Sequence, residues 1–384
     1  MRIVYVASDQ NVPGRTGGSV HVLEVARGLA GRGHEVHAVV HREEGVPHEE
    51  ERDGVFWHRV AWRPGHRLFR FRARAAVERI IDSVHPQAVM ERYYNFGGEG
   101  ILAAEKAGIP SLLEVNSPAV DHPGSLKAAL DAAAVVRPLR RRRERLCRSA
   151  AALVSPLVEI VPEFARSKTV KVSWGANVEV FHPSRRRADL RARHGVPPGA
   201  VLVLFVGSFR PWHGVHVLEA AARRLSGRTD LHFLFAGGTH AGEGAGYRGR
   251  RLGSVAYEEM PDLVASADVG AAPYDTRRLR QLRLGFYWSP LKIFEYMASG
   301  LPTVTISRPP LDEIVREEEE GLHFREGDDA DLARVLERLA GDAALRARLG
   351  TQARARVAES YSWARHCAQL EGVLRRIARL GSCC

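Results

Sequence analysis

Short apolar runs alternate along this chain with longer stretches in which apolar residues recur every three or four positions. The first half carries the runs IVYVA, EVHAVV, VFWHRV, QAVME and PSLLEV. Between and after them lie helical patterns over His21–Arg32, Phe69–Val84 and Gly98–Ala107, and a long one ending near Ser149. AALVS and TVKVSW follow as short strands. The theme restarts at Val201 with VLVLFVG, then a helix over Val215–Leu225, LHFLFAGG, a helix over Tyr257–Ala267, DVGAAPY, a helix through Lys292–Ala298 and PTVTIS. Short runs apolar on both faces read as strands of a parallel sheet, and the 3.6-period segments between them as crossover helices. The pattern predicts βαβ units throughout.

A chain of 384 residues is long for one core, and the restart at Val201 marks where a second one begins. The Pro-, Gly- and charge-rich stretch His182–Ala200 reads as a linker. The expectation is α/β, with a domain over 1–185 and another over 198–363. Each is a Rossmann-like, doubly wound parallel sheet, and the two face a cleft. Ligands of open α/β sheets bind at the carboxyl ends of the strands, so the chemistry belongs in the strand-to-helix turns.

Composition changes this picture little. Hydrophobic residues make up 45% and charged residues 26%, which suits a folded soluble protein and excludes disorder. No apolar run reaches the length of a membrane span, and MRIVYVASDQ reads as a buried strand rather than a signal peptide. The four cysteines, Cys147, Cys367, Cys383 and Cys384, show no metal-ligand or framework spacing, which suits a reducing cytosol. A net charge of +11 favours anionic partners. Arg137–Arg148 concentrates it in one basic helix, either a solvated face or a peripheral contact with an anionic bilayer at the inner face of the plasma membrane. No nucleic-acid module is present, and aromatics are not interleaved with that helix, so nucleic acid is not expected as a partner.

Three turns carry candidate chemistry. The first contains Gly17 and Gly18, where backbone amides approach an anion at a helix start, with His21 facing the same loop. Its spacing is not the dinucleotide fingerprint. The second is GSFRPWHG, with Gly207, Ser208, and with Arg210 and His213 presenting positive charge to a diphosphate. The third is SPLKIFEYMASGLPTV. Ser289 as N-cap and Pro290 as first helical residue leave the amides of Leu291 and Lys292 free for a phosphate. Glu295, at i+3 from Lys292, suits a ribose diol; the plainer reading of the two is an exposed ion pair. In ERYYNFGGEG, Glu91, Arg92 and Tyr93 offer hydrogen bonds to a sugar acceptor.

The third turn resembles the E-x7-E region of retaining GT-B glycosyltransferases of family 4 (glycosyl transferases group 1), in the run Glu295-Tyr296-Met297-Ala298-Ser299-Gly300-Leu301-Pro302-Thr303-Val304. Gly17-Gly18, His21-Val22 and Gly33-His34-Glu35-Val36 match the same family's N-terminal pattern, and WGANVEVFHP and LGSVAYEEMPDLVASADVGAAPY match its later segments. The resemblance implies the GT-B fold, with the closing YSW and a helix over about 364–384 returning to the first domain. It implies donor contacts from Gly17, Gly18, Gly207, Ser208, Val255, Tyr274, Tyr287, Ser289, Pro290 and Leu291. Lys292, Arg210 and His213 would neutralise the diphosphate and Glu295 would hold the ribose. His21, Glu91, Arg92, Tyr93 and Asn116 fall on the acceptor side.

It further implies a nucleoside-diphosphate sugar as donor, uridine favoured over guanosine, a hydroxyl acceptor, no cofactor and no metal. Three positions depart from the family pattern. Tyr287 stands where the first glutamate falls, Ser208 and His213 where an arginine and a lysine fall, and Asn116 where a histidine often follows the fourth strand. Glycan or glycoconjugate assembly is the leading expectation, a soluble small-molecule acceptor the second, and a catalytically silent nucleotide-binding protein the third.

Overall fold

The computed structural model describes residues 1–14, 16–61, 73–94, 97–122, 124–134, 136–287 and 290–381. They form two compact units, one of 1–174 with Tyr287 and the segment from Trp363 onward, the other of 175–286 and 290–362.

The first unit is built on eight strands, β1 (Arg2–Asn11), β2 (Glu35–His41), β3 (Glu49–Arg52), β4 (Val55–Val60), β5 (Ala88–Tyr93), β6 (Ser111–Val115), β7 (Ala152–Ser155) and β8 (Thr169–Lys171). Their order is β3-β4-β2-β1-β5-β6-β7-β8, parallel except for the β3–β4 hairpin. Val4, Val6, Val39 and Val89 on the central strands pack against Val77 and Ile81 of the helix Arg74–Val84 and Ala103 and Ala104 of the helix Glu99–Ala107. Strands covered on both faces need apolar residues at every position, which is why they stood out as unbroken runs.

The second unit holds β9 (Val201–Val206), β10 (Leu231–Ala236), β11 (Ala241–Glu243), β12 (Gly249–Gly253), β13 (Val269–Ala271), β14 (Thr303–Ile306) and β15 (Gly321–Phe324). Their order is β11-β12-β10-β9-β13-β14-β15, and all pairs but β11–β12 are parallel. Strand order reverses between β9 and β13, the topological switch point where such sheets take their ligands.

Two sequence expectations change. The stretch 182–200 is not a free linker. It forms a 3-10 turn and the helix Ala188–Arg193 inside the second unit, where Arg185 pairs with Asp262 and Arg186 and Arg191 with Asp268. The long helix ending near Ser149 is two helices, Leu126–Ala133 and Pro138–Ser149, broken at Arg137 with φ 44°. Asp131 accepts from the amides of Leu139 and Arg140 at 2.8 and 2.7 Å, capping the second helix from the end of the first. Of the helix foreseen over Phe69–Val84, Arg74–Val84 is helical, and Phe69 lies outside the described residues. No described helix is long and apolar enough to cross a membrane.

Candidate functional site

The carboxyl ends of β9 and β13 deliver Gly207 and Tyr274 to the switch point of the second unit, and the helix Leu291–Ala298 begins beside them. That helix is apolar almost all round, with Ile293, Phe294, Tyr296, Met297 and Ala298 buried, so packing rather than propensity holds it. It ends at Gly300, φ 72°, with the Leu301 amide bonded to the Tyr296 carbonyl, a left-handed C-terminal cap. Its start lies one residue later than the sequence suggested. Pro290 is the N-cap rather than the first helical residue, and Leu291 and Lys292 take the first two positions. Their amides have no carbonyl a turn back, and the helix dipole makes this end positive. Ser289 lies outside the described residues.

Lys292 is 9% exposed. Its Nζ has no hydrogen-bond partner and sits 4.3 Å from the centroid of the Phe205 ring and 5.2 Å from that of Tyr274. Burial pushes this amine down to about 7, against the pull of Glu295. Glu295, 8% exposed, is pushed up to about 7 by the same burial, eased by Lys292. The two are therefore not an exposed surface pair, and among the described residues neither joins an ion pair. Tyr274 is buried and its phenol is raised well above its ordinary value by burial and then by Glu295.

His213 departs from its expected charge. Burial, then the charges of Lys292 and Arg210, push its imidazole down to about 2, so it is neutral at physiological pH. Its Nδ1 is buried without a partner. A Cβ built on Gly207 would stand 2.7 Å from Lys292 Nζ and 3.0 Å from His213 Nδ1, so glycine leaves this space to the two nitrogens. Ser208 and Arg210 are exposed on the following turn, and Arg210 makes no ion pair with a described residue. Two buried nitrogens without hydrogen-bond partners thus meet at one strand end, close enough to Arg210 for its charge to act on His213. Val255 lies farther along the unit, in the wall of a pocket of about 490 Å³ with Arg187, Arg193, Arg250, Arg251 and Glu258.

In the first unit, several proposed contacts are committed to the fold. Gly17 and Gly18 open the helix Gly17–Ala30, capped by the Thr16 hydroxyl accepting from the Ser19 amide at 3.2 Å. His21 does not face the loop. It is fully buried, stacked on Trp174 at 4.1 Å between centroids, with Nε2 2.7 Å from Glu114 Oε1. Burial would raise Glu114, but the charge of His21 holds it down at about 2. Glu91 is buried and accepts from the amides of Gly98 and Ile101 at 2.6 and 2.8 Å, closing the start of the helix Glu99–Ala107 rather than waiting for a sugar. Arg92 is buried against Asp9 at 2.8 Å, Tyr93 is buried with Lys127 Nζ 3.4 Å from its hydroxyl, and Asn116 accepts from Trp174 Nε1 at 3.3 Å.

Tyr287 belongs to the first unit and is buried, which raises its phenol above the ordinary range. Along Arg137–Arg148, Arg143 is buried beside Asp121 and the Ala119 carbonyl, Arg142 donates to the Gly97 carbonyl, and Arg140 and Arg145 pair with Glu144 and Glu105. Much of the basic run is thus internal bonding.

Residues 16–172 match the glycosyl transferase 4-like domain, and residues 200–342 match the glycosyl transferases group 1 family. A D-inositol 3-phosphate glycosyltransferase from Streptomyces scabiei is 29% identical over 73% of this chain and 65% of its own length. One of the same name from Streptomyces avermitilis is 31% identical over 52% of this chain and 45% of its length, and one from Nocardiopsis dassonvillei is 28% identical over 96% and 91%. The chain therefore spans less than two thirds of the first two relatives. A sucrose-phosphate synthase from Thermosynechococcus elongatus superposes with a TM-score of 0.75 at 18% identity over 99% of both chains. Anabaena HepE in complex with UDP-glucose superposes at 0.72 and 15% over 98% of this chain and all of that one. With two doubly wound sheets and these neighbours, the chain has the GT-B fold, and its two halves are similar to the glycosyl transferase 4-like domain and to the glycosyl transferases group 1 family.

Proposed function

We propose that this protein is a retaining glycosyltransferase that moves a hexose-type sugar from a nucleoside diphosphate, uridine preferred, to an acceptor hydroxyl. The observation that carries the reading is the buried Lys292, unpartnered beside neutral His213 and Gly207, at the start of the helix Leu291–Ala298. A diphosphate supplies the charge this group lacks, and on departure it gathers the negative charge the same group stabilises. Arg210 adds an exposed cation, so the site's own groups serve the leaving phosphate. Glu295 accepts from the ribose hydroxyls. The leaving phosphate takes the acceptor proton on the face it departs from, which retains configuration.

The acceptor side is assigned to the first unit, and the relatives' shared name supports a small phosphorylated polyol over a growing polymer. Purified protein is tested for nucleotide release from uridine and guanosine diphosphate sugars, with inositol phosphates and oligosaccharides as acceptors. Acceptor-dependent release of UDP, lost in Glu295→Ala, and a product keeping the donor's anomeric form are expected. Nucleotide binding without release from any donor would favour a silent protein instead.

A further inference from the structure

The sequence shows no metal-ligand spacing, yet the fold assembles one in the first unit. His21 comes from the helix Gly17–Ala30, Glu114 from β6, and His366 from the helix Trp363–Gly381. Their exposures are 0%, 2% and 2%, and one ligand atom from each lies within 4.8 Å of the others. His366 Nε2 and His21 Nδ1 have no hydrogen-bond partner. His21 Nε2 and Glu114 Oε1 pair with each other at 2.7 Å. Two buried imidazole nitrogens without partners, beside a buried ion pair, call for an occupant.

The surroundings say which kind. His366 Nδ1 is 2.8 Å from the Ser173 carbonyl, which fixes the proton there and turns the lone pair of Nε2 inward. The Tyr5 hydroxyl donates to Glu114 Oε2 at 3.2 Å, which leaves Oε1 to the cluster. Hydrogen bonds of this sort, from the far atom of each ligand to a carbonyl or hydroxyl, orient the side chains of metal sites. Ligands about 2.0–2.1 Å from a tetrahedral ion stand roughly 3.3 Å apart, a spacing the three atoms reach with small movements. Trp174 and Trp363 flank His21 at 4.1 and 5.6 Å between centroids and keep water away.

We propose that His21, Glu114 and His366 bind one divalent ion of zinc's ligand preference, two imidazoles and a carboxylate. The ion supplies positive charge beside the buried Glu114. It acts as a structural clamp between the closing helix, β6 and the first helix. None of its ligands belongs to the anion site of the second unit, so the proposal stands apart from the transfer reaction.

The full chain, expressed with zinc in the medium and desalted, is analysed for metal by mass spectrometry. About one zinc per chain is expected, with a Tm that falls on dipicolinate treatment and recovers on adding Zn²⁺. His366→Gln, which keeps a polar side chain at the position, is expected to fold and to lose the metal. Cobalt substitution should give a visible spectrum in the wild type alone. Wild-type protein that carries no metal and shows no Tm response to Zn²⁺, Co²⁺ or Ni²⁺ overturns the site. So does His366→Gln with undiminished zinc. The wild-type metal content decides the matter even where the variant fails to fold.

Discussion

Lys292 Nζ lies 4.3 Å from the centroid of the Phe205 ring, whose face is the π-system closest to the amine. Glu295 stands one turn farther along the same helix, but burial moves the two groups toward each other in pKa, the amine down to about 7 and the carboxyl up to about 7. Each therefore changes charge near neutrality, which exposed lysine and glutamate do not.

Donor affinity should then peak near neutral pH. Binding a diphosphate needs the ammonium form of Lys292, which is lost as pH rises through about 7. Holding a ribose diol needs the carboxylate of Glu295, which is lost as pH falls through about 7. Calorimetric titration with UDP across the neutral range should give a bell. Lys292→Met should weaken transfer by about 2–4 kcal/mol in kcat/KM, flatten the alkaline limb and move the acid limb to higher pH, because Glu295 loses the charge that eases its burial. A wild-type affinity independent of pH would contradict this account.

Gly207→Ala should cost both stability and activity. At φ 158° the backbone itself resists a side chain, and the added methyl would stand 2.7 Å from Lys292 Nζ, 3.0 Å from His213 Nδ1 and 3.1 Å from the buried Phe205 ring. The Tm should therefore fall by roughly 4–8 °C. The two nitrogens would leave their places, and kcat/KM should fall by roughly 10- to 100-fold through lost positioning. Unchanged kinetics in the variant would show that the glycine serves the turn alone.

The sequence made the parallel strands plain, because strands buried on both faces must be apolar at every position. It left β12 unread, because GRRLG pairs through its backbone and turns Arg251 onto Glu219. The helix start was legible to within one residue from Ser289 and Pro290, and its end from Gly300 and Pro302. The neutrality of His213 was not, since a charge state follows from burial and from neighbours far apart in sequence. Glu91 misled for a related reason. A carboxylate beside tyrosines looks like a sugar ligand, and only the fold shows the amides of Gly98 and Ile101 already bound to it. Glu114 carried a signal that went unused, a charged residue inside the apolar run SLLEV, which has to find a partner such as His21.

Glu295→Gln should stabilise the protein while disabling it. The carboxyl titrates at about 7 folded and near 4.5 when solvated, so the fold favours its neutral form. The penalty for the ion is absent below about pH 4.5, grows as pH rises, and is complete above about 7. Lys292 is itself losing its charge there and returns little attraction. Thermal melts at about pH 8 should place the variant above the wild type by on the order of 1 kcal/mol, with the difference vanishing near pH 5. A variant less stable than wild type at both pH values would mean that Glu295 holds the helix rather than the ligand.

The closing helix gives the opposite sign. Glu371 is bonded to Arg375 on its own helix and to Arg32, and its second partner across the packing is His34 at 3.2 Å. Those contacts, Arg375 first, hold its carboxyl down at about 2 against a solvated value near 4.5. A depressed carboxylate stabilises the fold fully above about 4.5, and the contribution drains away as pH falls toward 2. Glu371→Gln should therefore lower the Tm by a few degrees at neutral pH, and the wild type should lose that advantage during acidification. The measurement is a pair of melting curves, one near pH 7 and one near pH 3. Curves that stay parallel would place the anchor of this helix in the apolar contacts of Leu370, Leu374 and Ile377, which are buried on the same element.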